Sequence, residues 1–314
     1  MKFSIQYNYG TKLSRLIVVI VSLFSIFIFE KTNAQTETMY SQYLFNMSNI
    51  NPAFVGNNGI KSFTFYKRSQ WVGLEGAPQT NAVTFESPLL NNKAGIGVQF
   101  YDDKIGVEHA TGLNTYLSTK IKISDEATIS GGINIGLMNY RIDLLSLSNS
   151  TFQQNDIAYN NNFNKFMPIL GAGIFYTDKN FFTGISIPSI LKSRLTDINL
   201  IRSNLQKVNK QQVFISSGAT FFVNEDLIIK PSVLIKLLSS APITIDYNTN
   251  FWYKNFIGLG VSYRTTKAVV GIVELKTDFN FKIGYAYDLN LNPIKYYSAG
   301  SHEIVLRYEF KKHD

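Results

Sequence analysis

Apolar and polar residues alternate along most of the chain, from Lys61 to the C-terminus. In the segment 127–141, for example, isoleucine and leucine occupy one set of alternate positions, whereas serine, asparagine and glycine occupy the other. Successive side chains of a β-strand point to opposite faces, so this period of two indicates strands with one apolar and one polar face. The pattern predicts about fourteen strands. Their predicted bounds are 61–70, 79–87, 93–102, 108–122, 127–141, 167–177, 180–187, 211–222, 227–237, 242–252, 255–264, 268–275, 278–287 and 302–310.

The connections between these strands differ in length in a regular way. Counted in chain order, every second connection is a turn of a few residues, whereas the others include the three long loops 144–166, 188–210 and 288–301. Short turns at one end and long loops at the other are typical of a transmembrane β-barrel. An even number of strands also closes an antiparallel barrel without the unpaired edges that hydrocarbon does not tolerate. We therefore predict an all-β fold, a transmembrane antiparallel β-barrel.

The N-terminus has the pattern of a secretory signal peptide. Basic residues precede an uncharged apolar run, Leu16–Phe29, and the small residue Ala34 ends a cleavage-site pattern. The run is shorter than the about 20 apolar residues of a membrane-spanning helix, which favours cleavage over a retained anchor. The sequence leaves open whether the segment that follows is periplasmic or folds inward as a plug. The predicted organisation is 1–34 signal peptide, 35–60 N-terminal periplasmic or plug segment and 61–314 outer-membrane barrel.

Composition narrows the class of protein only in part. Cysteine is absent, which excludes disulfides and thiolate chemistry. After the signal peptide no second long apolar run occurs, which excludes a helical membrane protein. The 24 Phe and 18 Tyr residues suit the aromatic girdles of a membrane barrel, but they also suit a secreted β-sandwich. Composition alone therefore does not decide between these two classes.

No residue pattern predicts an enzyme, a metal site or a cofactor. His109 is preceded by Glu108, and His302 is followed by Glu303. Adjacent residues of a strand point to opposite faces, so neither pair shares a site. The pair Asp102–Asp103 lies at a strand end and is far from a full calcium shell. A serine–histidine hydrolase site is not excluded by the sequence, yet nothing in it identifies the serine. We expect no catalytic residues, no metal and no cofactor.

Two stretches near the start of the mature chain resemble a known family. They are Met39–Gly56, MYSQYLFNMSNINPAFVG, and Tyr66–Thr80, YKRSQWVGLEGAPQT. The matching residues are Ser41, Gln42, Asn51, Pro52, Ala53, Phe54 and Gly56, then Arg68, Ser69, Gln70, Trp71, Gly76, Pro78 and Thr80. In this order and spacing they resemble the start of the PorP/SprF family of outer-membrane proteins of type IX secretion in Bacteroidetes. The similarity extends through later strands, as far as IGYAYDL at Ile283–Leu289.

The resemblance implies a non-enzymatic barrel in the outer membrane, a component of type IX secretion or an accessory to it. The implied partners are a secreted type IX substrate or surface adhesin and other type IX secretion proteins, with a role in protein secretion and, in some members, gliding motility. The alternative is a passive outer-membrane porin for small solutes, and an outer-membrane hydrolase is a third function. Outer-membrane lipid and lipopolysaccharide would surround the barrel, and we expect no nucleic-acid partner.

Two regions are candidates for binding a partner. Arg68 and Trp71 are either a lumen-paired or snorkelling arginine beside an interface aromatic, or a contact for another protein, since tryptophan and arginine are enriched in interface hot spots. The loop 188–210 is basic and also contains apolar residues, so it would meet either lipopolysaccharide or an acidic secreted partner. The candidate partner-binding residues are Arg68, Trp71, Lys192, Arg194, Arg202 and Lys207.

Overall fold

The computed structural model describes residues 40–148, 162–190, 211–238 and 241–310. Within them, fifteen strand segments form one sheet. The strands are β1 Ser62–Ser69, β2 Gln79–Leu89, β3 Ala94–Ile105, β4 Glu108–Lys122, β5 Thr128–Ile142, β6 Phe163–Thr177, β7 Phe181–Ile187, β8 Gln212–Ala219, β9 Phe221–Phe222, β10 Leu227–Leu238, β11 Thr244–Tyr253, β12 Ile257–Arg264, β13 Ala268–Lys276, β14 Phe281–Asn290 and β15 Ser301–Glu309. The helices are short: α1 is Leu145–Ser148, and 3₁₀ turns occupy Tyr43–Phe45, Met47–Asn49, Pro52–Phe54 and Pro293–Tyr296.

The sheet closes on itself. Each strand pairs with the next in antiparallel fashion, and the last strand returns to the first, with Ser62 of β1 opposite Glu309 of β15. Segments β8 and β9 both pair with β10, so they are two parts of one strand and the barrel has 14 strands. This confirms the predicted antiparallel barrel. Closure leaves no edge whose backbone groups would have to face lipid unpaired.

The outer surface is apolar and the inner surface is polar, as the alternation predicts. Ile133 and Ile283 lie on the outside with 42% and 38% of their surface exposed, whereas Asn134, the neighbour of Ile133, is 3% exposed and faces the lumen. A soluble protein rarely exposes apolar side chains over so much of its surface. Among the described residues, no helix is long and apolar enough to cross a membrane.

Two departures from the predicted strands have local causes. Strand β6 begins four residues earlier than predicted, because Phe163 pairs with Ile142 of β5 and packs its ring against Tyr140. The predicted strand 211–222 is interrupted after β8, where both Phe221 and Phe222 are exposed. No residue is inserted at the break, since Gly218 pairs with Ser232 and Phe221 pairs with Ile229 in the same register. The break lies beside Pro231 of β10, which has no backbone N–H to donate to the neighbouring strand.

The two ends of the barrel differ as the connection lengths predict. We call the end with the short connections, such as 90–93 and 254–256, the turn end, and the opposite end the loop end. Several turn-end residues have positive φ, among them Asn92 at 66° and Asn280 at 64°, a conformation that asparagine tolerates better than most residues. At the loop end, the connections after β1 and β14 are joined, since Val72 N donates to Gly300 O at 2.9 Å.

Candidate functional site

The lumen contains a folded segment of the chain. Residues 40–60, which we call the plug, run inside the barrel from the loop end to the turn end, where β1 begins. Its three 3₁₀ turns follow the local sequence: Pro52 opens the third, and the side chain of Asn51 caps it by accepting a hydrogen bond from Ala53 N at 3.0 Å. Proline at the first position and asparagine before it favour such a start. The sequence left open whether this segment is periplasmic or folds inward, and in the structure residues 40–60 fold inward.

The plug is bonded to strands on different sides of the barrel. Ser118 of β4 donates to Val55 O at 2.7 Å, and Ser186 of β7 donates to Ile50 O at 2.6 Å. Tyr43 of the plug shares a hydrogen bond of 2.9 Å with Ser232 of β10. Because these strands lie around the circumference, the plug crosses the lumen rather than lining one wall.

Apolar packing fills the middle of the lumen. The side chains Tyr43, Met47, Ile50 and Ala53 of the plug form one buried cluster with Phe175 of β6 and Leu234 of β10. Glycines of the wall give the plug room: a Cβ added at Gly132 would meet the backbone of Ala53, and one added at Gly95 would meet the carbonyl of Val55. The middle of the lumen is therefore packed like a protein core.

Near the loop end, six buried charged residues form what we call the charge cluster. Its members are the cations Arg68, Lys236 and Arg264 and the anions Asp246, Asp288 and Glu303. Arg68 pairs with Asp288 at 2.6 Å and with Glu303 at 2.8 Å. Lys236 and Arg264 pair with Asp246 at 2.7 Å and 3.1 Å. Arg264 also reaches Asp288 at 3.3 Å, which joins the pairs into one network with equal numbers of each sign.

The plug takes part in this network. The backbone N–H groups of Ser41 and Gln42 donate to the two oxygens of Glu303 at 2.8 Å and 2.7 Å. The Ser41 hydroxyl donates to Asp288 at 2.8 Å and accepts from Arg68 at 2.9 Å. Charge-assisted hydrogen bonds of this kind are stronger than neutral ones. The charge cluster therefore fixes the loop-end part of the plug to the wall.

The predicted partner-binding residues lie in different surroundings. Arg68 is 1% exposed, which fits its interpretation as a lumen-paired arginine and leaves no surface for a direct contact with another protein. Trp71 lies in the connection after β1 and is partly exposed, and its backbone N–H donates to Ser301 Oγ at 3.2 Å. The other four, Lys192, Arg194, Arg202 and Lys207, lie outside the described residues.

The histidines do not form a nucleophile–base pair in the described part of the chain. His109 is 2.5 Å from Asp102 through Nε2 and 3.0 Å from Arg141 through Nδ1. Glu108 points to the other face and accepts a hydrogen bond from Tyr140, as strand geometry predicts. His302 bonds the hydroxyl of Tyr285 at 2.7 Å. No group of three acidic or histidine side chains that could hold a metal occurs among the described residues.

Geometry and topology together define the class of protein: a closed outer-membrane-type β-barrel whose lumen holds its own N-terminal segment. The family model described as "Type IX secretion system membrane protein PorP/SprF" matches residues 32–308. The chain belongs to this family, as the two N-terminal motifs predict. Fold and family together imply a location in the outer membrane.

Solved structures with a similar fold are distant in sequence. They include the outer membrane protein Omp33 of Acinetobacter baumannii, with 9% identity, a TM-score of 0.46 and coverage of 80% of this chain and 100% of that one. The P. putida toluene transporter TodX has 10% identity and a TM-score of 0.46, with 85% and 95% covered. The KdgM porin in complex with disordered oligogalacturonate has 10% identity and a TM-score of 0.39, with 80% and 99% covered. No curated protein matches the chain.

Proposed function

We propose that the protein is a non-enzymatic, plugged barrel that serves type IX secretion by binding other proteins. Its partners would be a secreted substrate or surface adhesin, or other components of the secretion machinery. Family membership supports the role in secretion, because the matched family is one of type IX membrane proteins. A barrel fold by itself supports many functions, so the fold adds the location and not the role.

One observation carries the choice of a binding role over solute transport: the plug occupies the lumen. It is anchored at the loop end by the charge cluster and bonded to β4, β7 and β10 along its length. A passive porin needs a water-filled route, and larger barrels leave one only where side chains and inserted segments do not fill the interior. A lumen packed around the chain's own segment favours a scaffold whose two ends are available for proteins.

The experiment separates the binding role from the porin alternative by two measurements on the same protein. Deletion of the gene should lower surface display of at least one type IX substrate while the outer membrane remains intact, and the wild-type gene should restore it. In planar bilayers, the purified full-length barrel should show no stable open channel. Normal display of all type IX substrates in the deletion strain, together with a steady single-channel conductance, would establish the porin instead.

A further inference from the structure

A cavity of ≈ 360 Å³ lies inside the lumen at the turn end, between the plug and the wall formed by β6–β8, β10, β11 and β13–β15. Asn58 of the plug and Asn255 of the turn after β11 line it and are exposed, so the cavity opens at the turn end. Small-molecule sites typically have volumes of about 300–1,000 Å³. The cavity is therefore large enough for a small organic molecule, and it lies away from the charge cluster.

The cavity has an apolar side and a basic side. The apolar side consists of Leu44, Phe45, Met47, Phe54, Phe175 and Phe182. The basic side consists of Lys230, Lys276, Lys282 and Arg307, with Glu274 as the lining carboxylate. Trp252 closes the wall next to Lys230, whose Nζ lies 5.5 Å from the centre of the indole ring.

The guanidinium of Arg307 lines the cavity and has hydrogen-bonding capacity that the protein does not use. It is 3% exposed, and only its Nη1 donates, to Phe45 O at 2.8 Å. Nε and Nη2 are buried without a hydrogen bond, although Glu309 lies 3.3 Å from Nε and Glu86 lies 3.9 Å from Nη2. Buried donors are nearly always satisfied, and an unsatisfied one requires an explanation.

The charge balance around the cavity matches a ligand with one negative charge. The four lining cations face three carboxylates: Glu274 in the lining, Glu309 beside Lys282 at 2.6 Å, and Glu86 beside Arg307. Among the described residues, the ion pairs include neither Lys230 nor Lys276. One positive charge is in excess, and two ammonium groups are available to donate.

We propose that this cavity binds a small organic carboxylate with a short apolar body, which enters from the turn end. The carboxylate would accept hydrogen bonds from Arg307 and the lysines, and the apolar body would lie against the phenylalanines and Met47. Such a site goes beyond the proposed role in secretion and does not depend on it.

The chain carries its own reporter for this site. It has two tryptophans, Trp71 at the loop end and Trp252 in the cavity wall, so the variant Trp71→Phe leaves Trp252 as the single indole. The full-length barrel is titrated with hexanoate, with its uncharged analogue hexanamide and with inorganic phosphate, and Trp252 fluorescence is recorded. Hexanoate should give a saturable change, and hexanamide should bind about tenfold or more weakly, because charge-assisted hydrogen bonds are lost.

A pair of lysine variants in the same background locates the site. Lys276→Gln should weaken hexanoate binding by about tenfold. Lys295→Gln, at the loop end, should leave hexanoate binding unchanged. The heat-modifiable mobility of each variant on a gel verifies that its barrel is folded. The carboxylate site would be overturned by any of three results: no saturable change in fluorescence, equal binding of hexanoate and hexanamide, or equal effects of the two lysine variants. Phosphate binding as tight as hexanoate would overturn the role of the apolar side. Where Lys276→Gln does not fold, the comparison of hexanoate with hexanamide still decides.

Discussion

Replacement of Arg68 by methionine tests whether the charge cluster holds the plug in the lumen. Arg68 bonds Asp288, Glu303 and the Ser41 hydroxyl at once, at 2.6, 2.8 and 2.9 Å. Methionine keeps much of the apolar stem and removes the charge. Two cations would then face three buried carboxylates, so one negative charge would be left without compensation.

The free-energy cost of Arg68→Met depends on the partners that Asp288 and Glu303 keep. Loss of one member of a buried ion pair typically costs about 3–5 kcal/mol. The lower end applies here, because Asp288 keeps Arg264 at 3.3 Å and Glu303 keeps the N–H groups of Ser41 and Gln42. Release of the plug would admit water to these wall carboxylates and relieve the cost, so about 3 kcal/mol lowers the ratio of docked to released plug by about two orders of magnitude. The strand ladders are unchanged, so the barrel itself should stay closed.

The assay is limited proteolysis of the folded barrel, with cleavage within 40–60 read by mass spectrometry, beside single-channel conductance. Arg68→Met should be cleaved in the plug faster than wild type and should open to ions more often. Lys67→Met, which changes the adjacent exposed residue of the same strand, should behave as wild type. Glu303→Gln added to Arg68→Met removes the uncompensated negative charge and should therefore recover part of the loss. Equal protection of the plug in both single variants would refute the reasoning.

The remaining predictions concern the wall, the lipid face, the basic loop and maturation. Gly132→Ala should loosen the plug, because the added Cβ would clash with the backbone of the plug. Gly131→Ala places its Cβ in open space and should have no effect, and limited proteolysis compares the two variants. Ile133→Lys should cost about 2–4 kcal/mol in the unfolding free energy measured in lipid vesicles. Replacement of 193–206 by a Gly/Ser linker should leave a heat-resistant barrel and lower surface display of the partner, and normal display would place the contact elsewhere. Mass spectrometry of the outer-membrane protein should find cleavage after Ala34, and an intact initiator methionine would contradict it.

The barrel could be predicted from the sequence because the alternation that identifies each strand is a property of neighbouring residues. A strand in a membrane barrel needs one lipid-facing and one lumen-facing side, and alternate residues such as Ile133 and Asn134 state this directly. The lengths of the connections predicted, independently of the alternation, that one end of the barrel carries short turns and the other end carries long loops. The predicted bounds failed where contacts with a neighbouring strand, and not the pattern, decide them: β6 gains Phe163 from its pairing with β5, and β8 ends beside Pro231 of β10.

The plug and the charge cluster could not be predicted in the same way. The segment 40–60 has no regular period, because its 3₁₀ turns contact wall residues that are distant in sequence. Five of the six charged residues of the cluster lie on predicted strands, and Asp288 lies one residue beyond the predicted strand 278–287. An ionisable residue at membrane depth signals a paired or functional group. Their partners depend on strand register around the whole barrel. Asp102 beside His109 was missed for the same reason, since the contact crosses from β3 to β4.

The position of the charge cluster links the plug to closure of the barrel. Arg68 of β1 lies opposite Glu303 of β15, at the seam where the first and last strands meet. The plug bonds the same carboxylate through Ser41, across 262 residues of sequence. Contacts of such separation form late, since the chain between them must first be ordered. The seam can thus acquire its full set of bonds only when the plug is already inside, and a barrel closed without it would leave Glu303 without its two N–H donors. Docking of the plug is therefore expected to stabilise the closed seam, and variants such as Arg68→Met should slow assembly as well as loosen the plug.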